Sequence, residues 1–336
     1  MKCTGLRARK GRPRIRVARA VAGLLAVFGA LLVTLGCAGL QPVIVPATST
    51  STPTSAPTKT PTPEPTATLE PTPEPIEPGL VALQEQLRAT VDGYWVEGHY
   101  SFAVTDLQTG QTVGVNLDQQ QLSGCVMNLF IILVVLRDVE AGAYPMETVE
   151  GLIRATLWSS NAETAYELYT IAGFGDPTLG VRKVAALHRE LGFELTIIDH
   201  PPAFGDDTVG VNADNWATAR EVNAALEALY KGEILGPAMA AYLLDAMVEV
   251  KAGLNYLTAW GNGGVTSHKN GFFPYSDGYV DNDVGIVQFE RNGEQRAYAV
   301  GFFSDGVPYK YGDIVLGQQL MSLAWEYFDA AYPVAQ

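Results

Sequence analysis

The sequence predicts an α+β fold: a five-stranded antiparallel sheet flanked by helices, with an all-helical lobe inserted between its strands. Two observations lead there. Strand patterns occur in two blocks, a pair before residue 116 and a trio after residue 264, and residues 145 to 250 between them carry helical spacing. Turn signals inside each block then pair the strands as neighbours.

In chain order, the first element is a helix over Leu80 to Tyr94, with Leu80, Leu83, Leu87 and Val91 on one face. Tyr100 to Asp106 reads as a strand, and Thr109-Gly110 turns it into a second strand, Gln111 to Val115. Leu129 to Val139 is apolar throughout, as a fully buried helix is, and Ala141-Gly142 closes it. Helical patterns follow at Glu147 to Trp158, Ala162 to Ile171, Val181 to Leu191, Thr218 to Lys231 and Pro237 to Val248, interrupted by a long loop from Leu195 to Asn215. Strands return at Val265 to Phe273, Asp283 to Glu290 and Gln295 to Phe303. Asn292-Gly293 joins the last two as a hairpin, and a final helix covers Gly312 to Phe328.

The N-terminus is of another kind. Residues 1 to 19 carry eight Lys or Arg and no acid, and an uncharged run starts at Ala20, the outline of a secretion signal. Thr34-Leu35-Gly36-Cys37 resembles a bacterial lipoprotein cleavage box, which implies lipidation at Cys37 and a signal peptide over residues 1–37. Because the uncharged run continues to Ala47, an uncleaved membrane helix is the other reading of the segment. Both keep the basic flank inside and expose the rest outside the cytoplasmic membrane. Residues 38–78 form a Thr/Pro-rich tether, whose polyproline II reach is on the order of 100 Å, leaving 79–336 for the folded domain.

Charge narrows the function classes. Net charge is −14, and removal of the eight N-terminal cations (−14 − 8) leaves −22, a surface that repels nucleic acid and anionic lipid. Of three cysteines, Cys3 and Cys37 lie in the leader, so Cys125 stands alone in the domain and no internal disulfide is available. Among the four histidines no metal-binding spacing occurs; His99, His188, His200 and His268 read as surface or packing residues, with His268 the one candidate for a substitute base. No phosphate loop or dinucleotide fingerprint is present, and no metal or cofactor is expected.

Three short motifs remain. Cys125-Val-Met-Asn128 opens the buried helix, Ser159-Ser160-Asn161 opens a helix of the inserted lobe, and Lys269-Asn270-Gly271 sits on the first late strand. In order and spacing they resemble the Ser-x-x-Lys, Ser-Asp-Asn and Lys-Thr-Gly motifs of the class A β-lactamases and related penicillin-binding D,D-peptidases. The resemblance runs from about Leu80 to the C-terminus and includes Asp283-Val-Gly-Ile-Val. It implies that Cys125 occupies the nucleophile position, Asn128 that of the base lysine, and Ser159 that of the proton-relaying serine. It assigns Asn161 to the substrate amide, Lys269 to a substrate carboxylate, Gly271 to the space beside the strand, and the backbone N–H groups of Cys125 and Phe272 to the oxyanion. Asn270 replaces a hydroxyl residue and Ser160 an aspartate.

The departures matter chemically. An amide cannot accept a proton near neutral pH, so Asn128 leaves the acylation step without its base. A thiol is partly thiolate at pH 7 and a helix start with Lys269 nearby raises that fraction, which keeps slow attack on an activated ester or strained lactam open beside an inert, buried Cys125. Ser123, two residues earlier, caps the helix or lies in the turn before it. Ser160-x-x-Glu163 is itself a capping box. The loop from Leu195 to Arg220 holds no glutamate to activate a deacylating water, and Asp206 and Asp207 shape a solvated turn. The expectation is a catalytically impaired domain that binds cell-wall peptide, a β-lactam-like ligand or a protein partner. The alternatives are an acyl hydrolase using Cys125, and a spacer protein whose groove is filled by Phe272 and Phe273.

Overall fold

The computed structural model describes residues 75–202, 214–249, 258 and 260–333. The expected signal, the candidate lipidation residue Cys37, nearly all of the expected tether, and Asp206 and Asp207 lie outside the described residues. Those described belong to the compact unit Glu70–Gln336.

Helix α1 (Pro78–Asp92) leads into strand β1 (His99–Asp106) and its hairpin partner β2 (Thr112–Val115). After a two-residue strand, β3 (Gln121–Leu122), and a 3-10 turn over Gly124–Met127, the apolar α2 (Asn128–Glu140) begins. The lobe consists of α3 (Glu150–Ser159), α4 (Ala162–Ala172) and α5 (Pro177–Glu190), then β4 (Trp216–Ala217), α6 (Ala219–Tyr230) and α7 (Pro237–Ala246). Strands β5 (Val265–Tyr275), β6 (Gly278–Arg291) and β7 (Glu294–Asp305) follow, and α8 (Ile314–Ala331) ends the fold.

The main sheet has the order β2-β1-β7-β6-β5 and is antiparallel throughout, so the two strand blocks meet where β1 pairs β7 along its whole length. The β6–β7 turn places Asn292 at φ 55° and Gly293 at φ 77°, the two left-handed positions that an Asn-Gly pair supplies at little cost. Missing from the sequence expectation is the small pairing of β3 with β4, too short to carry a periodic signal.

Side-chain alternation divides the core in two. Ala103, Val284, Ile286, Ala297 and Ala299 face the helical lobe and pack with α2, whose residues from Leu129 to Leu136 are all buried. Phe102, Val104, Val287, Tyr298 and Val300 face the other way, onto α1 and α8. Strand β5 is the sheet's outer edge, and its register (Lys269 opposite Val284, Gly271 opposite Asn282) sets Lys269 and Gly271 on the lobe side. The edge of the sheet beside the lobe is where the three motifs converge.

Candidate active site

Cys125 lies in the 3-10 turn that feeds α2, half-buried and unoxidised. Its neighbour Gly124 adopts φ +52°, and a Cβ there would stand 3.0 Å from the ring of Phe273. Ser123 is buried and its hydroxyl caps nothing, so it belongs to the turn before the helix. Asn128 opens α2 one turn after Cys125, is 1% exposed, and has no hydrogen-bond partner for Nδ2.

Strand β5 reaches this turn through Gly271. A Cβ on Gly271 would fall 2.8 Å from the backbone N of Cys125, so only glycine permits this approach. Lys269, two residues earlier on the same face, is fully buried. Its ammonium donates to Ser160 Oγ at 2.5 Å and to the carbonyl of Asn270, and Ser160 Oγ donates to that same carbonyl at 3.3 Å. Burial holds the Lys269 pKa below the ordinary lysine value, opposed by the negative charge of a Cys125 thiolate and of Asp283. The N–H of His268 points outward to Met247, as does the carbonyl of Asn270; the period of two therefore turns the N–H of Phe272 to the same outer edge.

The second motif sits one residue out of its expected register. Ser159 is exposed, and its hydroxyl reaches only back to Ala155 of its own helix. Ser160, in a left-handed conformation at φ 53°, ψ 42°, ends α3 and turns its hydroxyl to Lys269. Nor does Ser160 cap α4: Asn161 does, its Oδ1 accepting from the N–H of Thr164 at 3.0 Å, which occupies the side chain expected to hold a substrate amide. The residue of this segment that lines the pocket is Ala162, and the hydroxyl that meets Lys269 is that of Ser160. The sharp left-handed turn at Ser160 decides the register, and no local sequence signal announces it.

A pocket of about 300 Å³ opens beside Cys125, with Asn128, Ala162, Tyr169 and Phe273 in its walls. His200 and Asn215 line it too. Asn215 Oδ1 accepts from the N–H groups of Asp199 and His200, its Nδ2 donates to the carbonyl of His200, and its carbonyl accepts from the N–H of Ser123. One asparagine thus ties the long loop to the turn that holds Cys125. His200 Nδ1 lies 2.8 Å from the carbonyl of Pro201, which selects the tautomer with Nε2 as acceptor. His200 belongs to the pocket rather than to the plain surface, a proximity made by non-local folding. Tyr169 is fully buried and its hydroxyl has no partner.

The remaining candidates lie elsewhere. His268 occupies the sheet face away from Cys125, where its Nδ1 meets Asp283 Oδ1 at 2.8 Å, while Thr258 donates through N–H and Oγ1 to Asp283 Oδ2, both at 3.0 Å. The side chain of Asn270 is on that face too, with Oδ1 unpartnered. Phe272 joins Tyr279 and Tyr311 outside the groove, under Lys310, so Phe273 alone of the two phenylalanines lines the pocket. His188 is buried against Phe130 and Phe193. His99 is paired with Asp305 at the surface.

Structural comparison finds the same architecture in penicillin-recognising proteins. The solved structure of PBP-A is 19% identical, with 75% of this chain and 97% of that chain covered at a TM-score of 0.60. A class A β-lactamase from Bacteroides cellulosilyticus is 16% identical over 75% of this chain and 99% of that one, at 0.63. The TLA-1 extended-spectrum β-lactamase is 17% identical over 74% and 99%, at 0.61. No curated protein matches the chain by sequence. The family model described as the beta-lactamase enzyme family matches residues 147–328, more than half of the chain. With fold and family model in agreement, the chain belongs to the β-lactamase enzyme family.

Proposed function

We propose that this chain is a membrane-tethered, extracytoplasmic member of its family that recognises a β-lactam-like ligand or cell-wall peptide in the Cys125 pocket and turns it over slowly or not at all. One observation carries the proposal: the residue one turn from the nucleophile position is Asn128, buried in the pocket wall, and an amide takes no proton at neutral pH. Ala162 adds to it, because it has no amide with which to hold a substrate. The ligand class is supported by Lys269 with Ser160 beside the pocket, and by one solved structure of PBP-A, 19% identical, which is an acyl-enzyme complex with penicillin G. The basic, then uncharged, N-terminus and the Thr/Pro-rich tether support the location. A protein partner in the same groove is the other occupant consistent with these residues.

The test is nitrocefin hydrolysis by purified protein, together with intact mass after incubation with penicillin G. The expected result is hydrolysis at background and no rapid mass gain. Acylation should appear in the paired variant Cys125→Ser, Asn128→Lys. Catalytic turnover by the unaltered chain would refute the proposal.

A second reading has its own observation, the electrostatic contact of Lys269 with Cys125 and the His200 imidazole in the same pocket. In it the thiolate of Cys125 attacks the lactam carbonyl carbon, a C–S bond forms and the C–N bond breaks. The leaving nitrogen takes its proton from Ser160, which Lys269 resupplies. It predicts a slow mass increment from penicillin G that disappears in Cys125→Ala.

A further inference from the structure

A second concavity lies on the other side of the sheet, remote from Cys125. It is an open groove of about 660 Å³ between the end of α1 and the exposed side of α8. Two tryptophans stand in it: Trp95, 77% exposed, and Trp260, 48% exposed. Trp95 is the most exposed large apolar side chain among the described residues, and a solvent-facing indole of this kind marks a contact surface. The platform is built rather than loose. Tyr94 anchors its hydroxyl on the carbonyl of Gly312 at 2.6 Å, and the Trp95 ring packs on Tyr94 at 6.1 Å between centroids. Gly261, next to Trp260, approaches α8 so closely that a Cβ would meet Ser322 Oγ at 3.1 Å.

Between the tryptophans, α8 presents Gln318, Gln319 and Glu326. Gln319 and Glu326 are exposed and Gln318 half-buried, so amide donors, amide acceptors and a carboxylate acceptor line the groove. Among the described residues no Lys or Arg lines it, and the chain is acidic, so an anionic ligand is disfavoured. A proline-rich peptide stacks on aromatic grooves too, but each of its prolines lacks an N–H, so it offers fewer donors to Glu326 and the amide oxygens than a sugar chain does. A sugar chain meets every condition: each ring has a C–H face for an indole and hydroxyl or acetamido groups that both donate and accept.

We propose that the Trp95–Trp260 groove is a binding site for an uncharged, N-acetylated or hydroxyl-rich glycan chain, separate from the Cys125 pocket. It would hold the domain on a polysaccharide while the pocket samples its own ligand.

The experiment titrates the purified full chain with the N-acetylglucosamine tetramer and follows tryptophan fluorescence. Saturable binding is expected, weakened about tenfold or more in Trp95→Ala and in Trp260→Ala. Cys125→Ser should bind as the unaltered chain does, which keeps this result separate from any failure at the pocket. Both tryptophans are exposed, so these variants retain the fold. The proposal is overturned if no saturable change occurs, or if binding survives both substitutions. It is equally overturned if a peptide of residues 60–75 or self-association of the chain occupies these tryptophans while the tetramer does not.

Discussion

Lys269 and Ser160 are joined by a 2.5 Å hydrogen bond, from a strand edge to the left-handed end of a lobe helix. The ammonium is fully buried, and among the described residues its acceptors are Ser160 Oγ and the Asn270 carbonyl. Removing the hydroxyl leaves a buried cation one acceptor short. Ser160→Ala is therefore expected to lower stability by about 1 to 3 kcal/mol, whereas the exposed Ser159→Ala stays within about 0.5 kcal/mol. Urea unfolding of the two variants checks it, and equal effects would return the motif to Ser159.

Gly271 sets the distance between β5 and the Cys125 turn. A methyl group 2.8 Å from a backbone nitrogen has no flexible neighbour to displace. Gly271→Ala is expected to cost about 1 to 3 kcal/mol and to push the strand off the turn, with loss of pocket binding out of proportion to the loss of stability. Ligand titration at a temperature where the variant is folded separates the two effects.

Two buried groups set opposing pH dependences. Burial pushes the Asp313 carboxyl up to about 6 from 3.8, against the hydroxyl of Ser304 that donates to it. Its folded pKa is raised, so its contribution is present at low pH and lost as pH rises through about 6. Burial pushes the His188 imidazole down to about 4 from 6.5, opposed by the charge of Glu221. Its folded pKa is depressed, so its contribution is present above pH 6.5 and lost as pH falls toward 4. The two therefore oppose each other between about pH 4 and 6. Urea unfolding across that window should show Asp313→Asn losing stability on acidification more steeply than the unaltered chain, and His188→Phe gaining it.

The fold was legible wherever local chemistry determined it. The Asn292-Gly293 turn and the wholly apolar α2 each state their role in a few adjacent residues. The three-motif frame was legible through its order along the chain. What stayed hidden is non-local. The Ser160 register depends on one backbone residue at positive φ, the place of His200 on an asparagine clamp to Ser123, and the groove of Trp95 and Trp260 on two segments far apart in sequence. No periodicity encodes such contacts.

Asn128 offers the last prediction because stability and binding should move in opposite directions there. Its Nδ2 is a buried donor with no partner, and such a group costs about 1 to 3 kcal/mol relative to an apolar side chain of the same size. Because Asn128 stands in the pocket wall beside Cys125, a small shift of its side chain would let Nδ2 donate to a bound ligand. Asn128→Leu keeps the branched heavy-atom shape and removes the donor. It is expected to raise the urea midpoint, by roughly 1 kcal/mol in stability, while weakening penicillin G binding about tenfold. A variant that gains stability and binds as before would mark Asn128 as a passive replacement, with the pocket recognising its ligand through Lys269 and Ser160 alone.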